Sequence, residues 1–192
     1  MEYKAALATL AIVISLIGYV PYFRDLLAGR TKPHAFSWGV WTVITGLAFA
    51  IQFSENAGAG AWVTGFTGLI CFTIFLLALS KGKMSFPLID WVCLIAALIA
   101  LALWWFAKLP LASVALLVAA DFIAFVPTFR KAYFKPYEDT PITFGLNGFK
   151  FVISLFALES LTLTTALYPA SLVITNWSFA AMVYLRRRQL RK

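Results

Sequence analysis

Long apolar runs, separated by short groups of charged residues, proline or glycine, make up most of the chain. Most runs approach the roughly 20 residues that a helix needs to cross the hydrocarbon of a bilayer. They are continuous rather than alternating, which favours helices over a membrane barrel. The pattern predicts seven membrane-spanning helices, at residues 5–23, 35–53, 61–80, 87–107, 111–129, 141–158 and 163–185.

The composition agrees with a membrane protein. Of the 192 residues, 62% are hydrophobic and 12% are charged, and the mean hydropathy is +0.86. A soluble domain of this size has roughly a quarter of its residues charged. Seven spans would leave only about 50 residues for loops and tails, so a separate soluble catalytic domain is excluded.

Basic residues are concentrated on one side of the predicted spans. Thirteen of the 16 lysines and arginines follow the first, third, fifth and seventh spans: Arg24, Arg30, Lys32, Lys81, Lys83, Arg130, Lys131, Lys135, Arg186, Arg187, Arg188, Arg191 and Lys192. By the positive-inside rule this side faces the cytoplasm. We therefore expect the N-terminus outside and the C-terminus in the cytoplasm, in the plasma (inner) membrane. The net charge of +8 reflects this bias, so no nucleic-acid partner is expected.

The chain contains a weak internal repeat at an offset of 106 residues. The string Val-Pro-x-Phe-Arg occurs at residues 20–24 and again at 126–130, in each case near the end of a span. The offset places spans one to three over spans five to seven and leaves span four as a linker. We therefore predict an all-α membrane protein of two parallel three-helix bundles, at 1–83 and 110–192, joined by a linker helix at 84–109.

These features resemble those of the SWEET/PQ-loop superfamily of seven-helix (3+1+3) transporters. Pro21 and Pro127 stand near the ends of spans one and five, and each is followed by a basic loop and by the Ser or Thr, aromatic and Gly residues that begin the next span. The glutamine of the family's Pro-Gln pair is replaced by Tyr22 and Thr128. The resemblance implies transport of a sugar, amino acid or vitamin by alternating access, with the site between the repeats. Pro21 and Pro127 are the expected hinges, because proline removes a helical hydrogen bond.

Two charged residues are predicted at mid-depth, Asp121 in span five and Lys150 in span six. A charge there costs roughly 2.5–3.5 kcal/mol on insertion scales, so each side chain should face the bundle interior. The repeat-equivalent residues are Ser15 and Ile44, so the charges belong to one half only. Either they form an ion pair between two helices, or they bind the solute and Asp121 carries a coupling proton.

Other polar residues extend the candidate binding site. On span six, Asn147 and Lys150 belong to a polar stripe at helical spacing. Span two offers Trp41 and Gln52 on one side. Because family pockets combine Asn and Trp side chains, the resemblance also assigns Asn176 to the site.

The sequence contains no metal-ligand spacing, phosphate-binding loop or nucleophile motif, so we expect no metal, no cofactor and no enzymatic activity. The expected partners are a small-molecule solute and the lipid bilayer, and the chain could act as a monomer or a homo-oligomer. A ligand-binding receptor of the same fold and an ion channel are the alternative functions. His34 is expected to be a solvated loop residue, and Asp90 to face headgroups or cap span four.

Overall fold

The structure is a computed structural model, and it describes residues 2–31, 33–81 and 88–190. Within these residues all regular structure is helical. The helices are α1 (Glu2–Leu27), α2 (Ala35–Ser54), α3 (Ala59–Lys81), α4 (Leu88–Trp105), α5 (Pro110–Phe134), α6 (Pro141–Ala157) and α7 (Leu163–Leu190), and a 3-10 turn at Pro136–Glu138 precedes α6.

Six of the seven helices are long and apolar enough to cross a membrane, and α6 is a shorter apolar helix of 17 residues. The predicted all-helical class is therefore confirmed. Helices α1, α5 and α7 continue past the predicted spans 5–23, 111–129 and 163–185. The reason is that hydropathy marks only the part of a helix that matches hydrocarbon, whereas backbone hydrogen bonding continues through polar residues.

The contacts among the first three helices have counterparts among the last three. Helix α3 packs against α1 and α2, and α7 packs against α5 and α6. Four further contacts join these groups: α1 with α6, α2 with α5, α3 with α6 and α2 with α7. We call the first two the α1–α6 interface and the α2–α5 interface. Helix α4 packs against α2 and α5, beside the second of these interfaces only.

The two ends of the bundle carry different loops. One end contains the α1–α2 and α5–α6 connections and the C-terminus of α7. We call it the basic end, after the lysines and arginines found there. At this end Arg187 donates to the backbone oxygens of Pro136 and Asp139. The α2–α3 and α6–α7 connections meet at the opposite end, where the Glu159 amide donates to the Ala57 carbonyl.

Some sequence predictions fall outside the described residues. Four members of the basic group lie there: Lys32, Lys83, Arg191 and Lys192. The predicted boundary between the first bundle and the linker, at residues 83 and 84, also lies outside the described residues. The remaining members of the basic group lie at the basic end, since they are near the C-terminal ends of α1, α3, α5 and α7 or just beyond them.

Candidate functional site

A small cavity of about 40 Å³ lies at the centre of the helix bundle. Six helices line it, all but α4 among those that the structure describes. Four of the six residues predicted for binding are among its walls: Trp41, Asp121, Asn147 and Asn176. The sequence pattern thus selected side chains from α2, α5, α6 and α7 that the fold brings to one place.

A second, larger cavity of about 240 Å³ adjoins the first toward the basic end. Its walls include Tyr22, His34, Pro127, Lys131 and Asp139. We call it the vestibule. It shares three aromatic residues with the central cavity: Trp38, Trp41 and Phe144. These rings therefore separate the vestibule from the buried centre.

Aromatic contacts hold Trp41 at this boundary. Its ring centroid lies 5.2 Å from that of Trp38 and 5.0 Å from that of Phe125. Such offset and edge contacts stabilise an aromatic cluster beyond simple burial. The indole Nε1 of Trp41 is buried and has no hydrogen-bond partner among the described residues. It is thus a donor at the wall of both cavities.

Asp121 is 1% exposed and faces the central cavity. Its Oδ2 atom is buried and accepts no hydrogen bond from any described residue. Asp121 also forms no ion pair with Lys150 in the part of the chain that the structure describes. Because an isolated buried carboxylate is costly, this residue requires a proton or a cation that the fold itself does not supply.

Lys150 is fully buried and turns toward α1 and α3 instead. Its Nζ donates to Ser15 Oγ at 2.9 Å and to Thr67 Oγ1 at 2.8 Å. The ammonium also lies 4.8 Å from the ring centroid of Phe151 and 5.4 Å from that of Tyr19. Thr67 and Tyr19 line the central cavity. Lys150 contacts these two lining residues but does not line the cavity itself.

The repeat offset explains why the two charges are apart. Lys150 lies at the α1–α6 interface, where it contacts Ser15, the repeat-equivalent of Asp121. The corresponding contact for Asp121 would be with Ile44, the repeat-equivalent of Lys150, on α2. An isoleucine offers no charge. Lys150 is bonded to Ser15 and Thr67, so the two charged side chains do not form the ion pair that was one of the sequence-based alternatives.

The two asparagines of the site contact each other. Asn147 Nδ2 donates to Asn176 Oδ1 at 3.0 Å, and Asn176 Nδ2 donates to the backbone oxygen of Leu172 at 2.8 Å. The Oδ1 atom of Asn147 is buried and has no partner in the described structure. The central cavity thus contains a second oxygen that can accept a hydrogen bond.

Gln52 does not line either cavity. It lies near the opposite end, where its Nε2 donates to the backbone oxygen of Thr165 at 2.7 Å and joins α2 to α7. Helical periodicity placed Gln52 on the correct face of α2, but not at the depth of the site. Ser154 makes a comparable link, with its Oγ donating to the Gly60 carbonyl at 3.2 Å.

The opposite end is closed by close contact as well as by these hydrogen bonds. A methyl group on Gly60 would lie 2.8 Å from the backbone nitrogen of Leu158 and 2.9 Å from the backbone oxygen of Ser154. Lys4 Nζ donates to the Leu158 carbonyl at 2.7 Å. Backbone therefore meets backbone at this end, whereas a vestibule lies at the other.

Sequence reasoning missed a polar contact between α4 and α2. Asp90, in the first turn of α4, is fully buried, so the expectation that it faces headgroups is wrong. Its Oδ2 accepts a hydrogen bond from Ser37 Oγ at 2.8 Å and lies 3.3 Å from His34 Nδ1. His34 is also the N-cap of α2. The available signal was a single carboxylate in an otherwise uncharged apolar helix.

Charges at the basic end border the vestibule. Lys131 Nζ lies 3.3 Å from Asp139 Oδ1. Burial raises the pKa of the Asp139 carboxyl above its ordinary value, and the nearby Lys131 ammonium opposes this effect. Across the bundle, Thr140 Oγ1 donates to Asp25 Oδ2 at 3.1 Å and joins α1 to the residue that precedes α6.

Both predicted hinge prolines lie within helices. Pro21 is inside α1 and Pro127 is inside α5, where it also lines the vestibule. A third internal proline, Pro169 in α7, was not selected from the sequence because it has no repeat-equivalent. It follows Tyr168, whose hydroxyl lies 3.2 Å from Thr45 Oγ1 at the cavity wall.

Comparison of the chain with protein-family models, with curated proteins and with solved structures found no match. Within residues 2–31, 33–81 and 88–190, no group of three or more His, Cys, Asp or Glu side chains could hold a metal ion. The site is therefore characterised by its own geometry: a buried carboxylate and two amides inside an aromatic enclosure.

Proposed function

We propose that the chain is a transporter of a small polar solute that works by alternating access. The observation that carries the proposal is the pair of adjoining cavities. They extend from the basic end to a buried polar centre, while the opposite end is closed by backbone contacts. A protein with a site open toward one side of a membrane has the arrangement that such a cycle requires.

The proposed moving units are two parallel three-helix bundles, within residues 1–83 and 110–192. The helix contacts support this division, since α1–α3 corresponds to α5–α7 and α2–α3 corresponds to α6–α7. Helices α2 and α6 also begin 106 residues apart, at Ala35 and Pro141, which equals the sequence offset. We propose membership of the SWEET/PQ-loop superfamily on these grounds.

The proposed orientation places the basic end in the cytoplasm. The vestibule then faces inward, and the opposite end faces outward. Opening outward would require four hydrogen bonds to break: Gln52 to Thr165, Ser154 to Gly60, Glu159 to Ala57, and Lys4 to Leu158. Pro21 and Pro127 provide positions in α1 and α5 where bending is easier than in an uninterrupted helix.

Uptake into proteoliposomes tests transport directly. Purified protein is reconstituted and offered labelled sugars, amino acids, nucleosides, vitamins and amines, with and without a pH gradient. Accumulation of at least one solute above protein-free liposomes is expected. Binding without uptake would instead indicate a receptor, and unitary currents in a planar bilayer would indicate a channel; both results contradict the proposal.

A reversible cross-link at the opposite end tests the mechanism. In the double variant Ala57→Cys with Glu159→Cys, the two residues are joined by a backbone hydrogen bond of 2.9 Å, and the native cysteines are buried. Oxidation should stop uptake while binding from the basic end persists, and a reductant should restore uptake. Each single-cysteine variant is the control. Unchanged uptake after complete cross-linking would contradict alternating access.

A further inference from the structure

The central cavity has two oxygen acceptors that the described residues leave unused. They are Asp121 Oδ2 and Asn147 Oδ1, and both atoms are buried. Asp121 adds a negative charge whenever it is ionised. An occupant that satisfies both atoms must present hydrogen-bond donors, and an occupant that neutralises the carboxylate must be positively charged.

The protein's own cation is not in position to do this. The Lys150 ammonium is held by Ser15 and Thr67 and is not part of the cavity lining that the structure describes. Moving it to Asp121 would break both hydrogen bonds. The positive charge is therefore expected from a bound molecule.

The walls around Asp121 suit a cation as well. Trp41, Phe125 and Phe144 present aromatic rings to the cavity. The face of an aromatic ring attracts a positive charge, and more strongly when water is excluded. A buried carboxylate within an aromatic enclosure combines the two means by which proteins bind organic ammonium groups.

We propose that this site binds a small organic cation, with its ammonium group against Asp121 and its flat apolar part against Trp41 and Phe144. The proposal rests on the proposed function, because it names the substrate class of the same cavities. The volume of about 40 Å³ at the centre suits a head group, and the vestibule of about 240 Å³ suits the remainder of a small molecule.

Other classes of solute fit less well. A sugar offers hydroxyl donors but no charge, so an ionised Asp121 would stay uncompensated. An inorganic or organic anion would be repelled by Asp121, and it would have to displace Ser15 and Thr67 to reach Lys150. A proton on Asp121 is the competing way to neutralise the carboxylate, and it predicts no preference between charged and neutral ligands.

Three probes of nearly the same shape separate these cases: benzylamine, benzyl alcohol and benzoate. Their affinities for the purified full-length protein are measured by isothermal titration in detergent at pH 7. Benzylamine should bind at least about tenfold more tightly than benzyl alcohol, and benzoate should bind least. Equal affinities for benzylamine and benzyl alcohol, or tighter binding of benzoate, would overturn the proposal.

The variant Asp121→Asn keeps the shape of the side chain and removes its charge. It should reduce benzylamine affinity at least about tenfold and leave benzyl alcohol affinity within about twofold. Glu55→Gln, at the end of α2 and outside both cavities, is the charge-matched control and should bind like the unmodified protein. If a folded Asp121→Asn variant loses affinity equally for benzylamine and benzyl alcohol, the ammonium contact is contradicted. If this variant does not fold, the three-probe comparison on the unmodified protein still decides.

The two proposals fail in different ways. Binding of benzylamine without its uptake into proteoliposomes would support the cation site and contradict transport. Uptake of neutral solutes by a protein that ignores benzylamine would support transport and contradict the cation site.

Discussion

The α1–α6 and α2–α5 interfaces occupy equivalent places in the helix contacts, but they are built differently. Two side-chain hydrogen bonds cross the first, from Thr143 and Lys150. Two more join α1 to the residues that flank α6, from Thr140 to Asp25 and from Lys4 to Leu158. Between α2 and α5, both described in full, the side chains meet through aromatic rings such as Trp41 and Phe125, and cavities adjoin them. We call the first the sealed interface, because hydrogen bonds cross it, and the second the open interface, because both cavities adjoin it.

The difference follows from single residues at repeat-equivalent positions. Thr143 Oγ1 donates to the Gly18 carbonyl at 2.8 Å across the α1–α6 interface. Its equivalent in α2, Ser37, donates to Asp90 of α4 instead. The Ser37 hydroxyl therefore bonds to α4, whereas the equivalent Thr143 hydroxyl bonds across the α1–α6 interface. The lesson is that two helix contacts related by weak internal symmetry in the sequence can differ in their side-chain chemistry.

The largest effect is expected from enlarging Gly18, which allows close approach at the sealed interface. A methyl group there would lie 3.1 Å from Leu146 Cβ. The variant Gly18→Leu should lower the free energy of unfolding by about 3 kcal/mol through overpacking, measured by denaturant titration in detergent. Gly46→Leu is the control, because no atom lies within 4 Å of a methyl group at that exposed position. Equal effects of the two variants would mean that close approach at Gly18 is unimportant.

An intermediate effect is expected from Ser15→Ala, which removes a hydrogen bond to the buried ammonium of Lys150. Hydrogen bonds to charged groups contribute about 1.5–3 kcal/mol, so a loss of about 2 kcal/mol in the free energy of unfolding is expected. Thr9→Ala also removes a hydroxyl from α1, but that group is exposed and bonds only to its own helix. It should change stability by less than about 0.5 kcal/mol. A Ser15→Ala variant as stable as Thr9→Ala would show that Lys150 does not depend on this contact.

The smallest effect is expected from Trp41→Phe at the open interface. Because the Trp41 Nε1 donor has no partner in the described structure, its removal should lower the free energy of unfolding by less than about 1 kcal/mol. Trp177→Phe removes a donor that is bonded to the Gly145 carbonyl at 3.1 Å. It should therefore be the more destabilising of the pair in the same titration. A larger loss of stability for Trp41→Phe than for Trp177→Phe would argue that Trp41 Nε1 forms a hydrogen bond in the folded protein.

The sequence predicted the helices well because burial in hydrocarbon leaves a strong and local hydropathy signal. It also selected Asp121 and Lys150 correctly as interior residues, since a charge at mid-depth is costly. Whether they meet depended on the rotation of α5 and α6 about their axes, which is decided by packing against α1, α2 and α3. Periodicity reports a face of a helix but not a depth, which is why Gln52 was placed in the site.

Helix α4 contacts α2 and α5 but lies beside only one of the two interfaces. In a symmetric dimer of identical three-helix subunits, both interfaces would contain the same residues. Any substitution that sealed one would also seal the other, and any carboxylate introduced for a ligand would appear twice. In a single chain the two interfaces have different residues, so this constraint does not apply. One of them can then contain hydrogen-bonding side chains and a buried ammonium, while the other contains aromatic rings and a buried carboxylate beside α4.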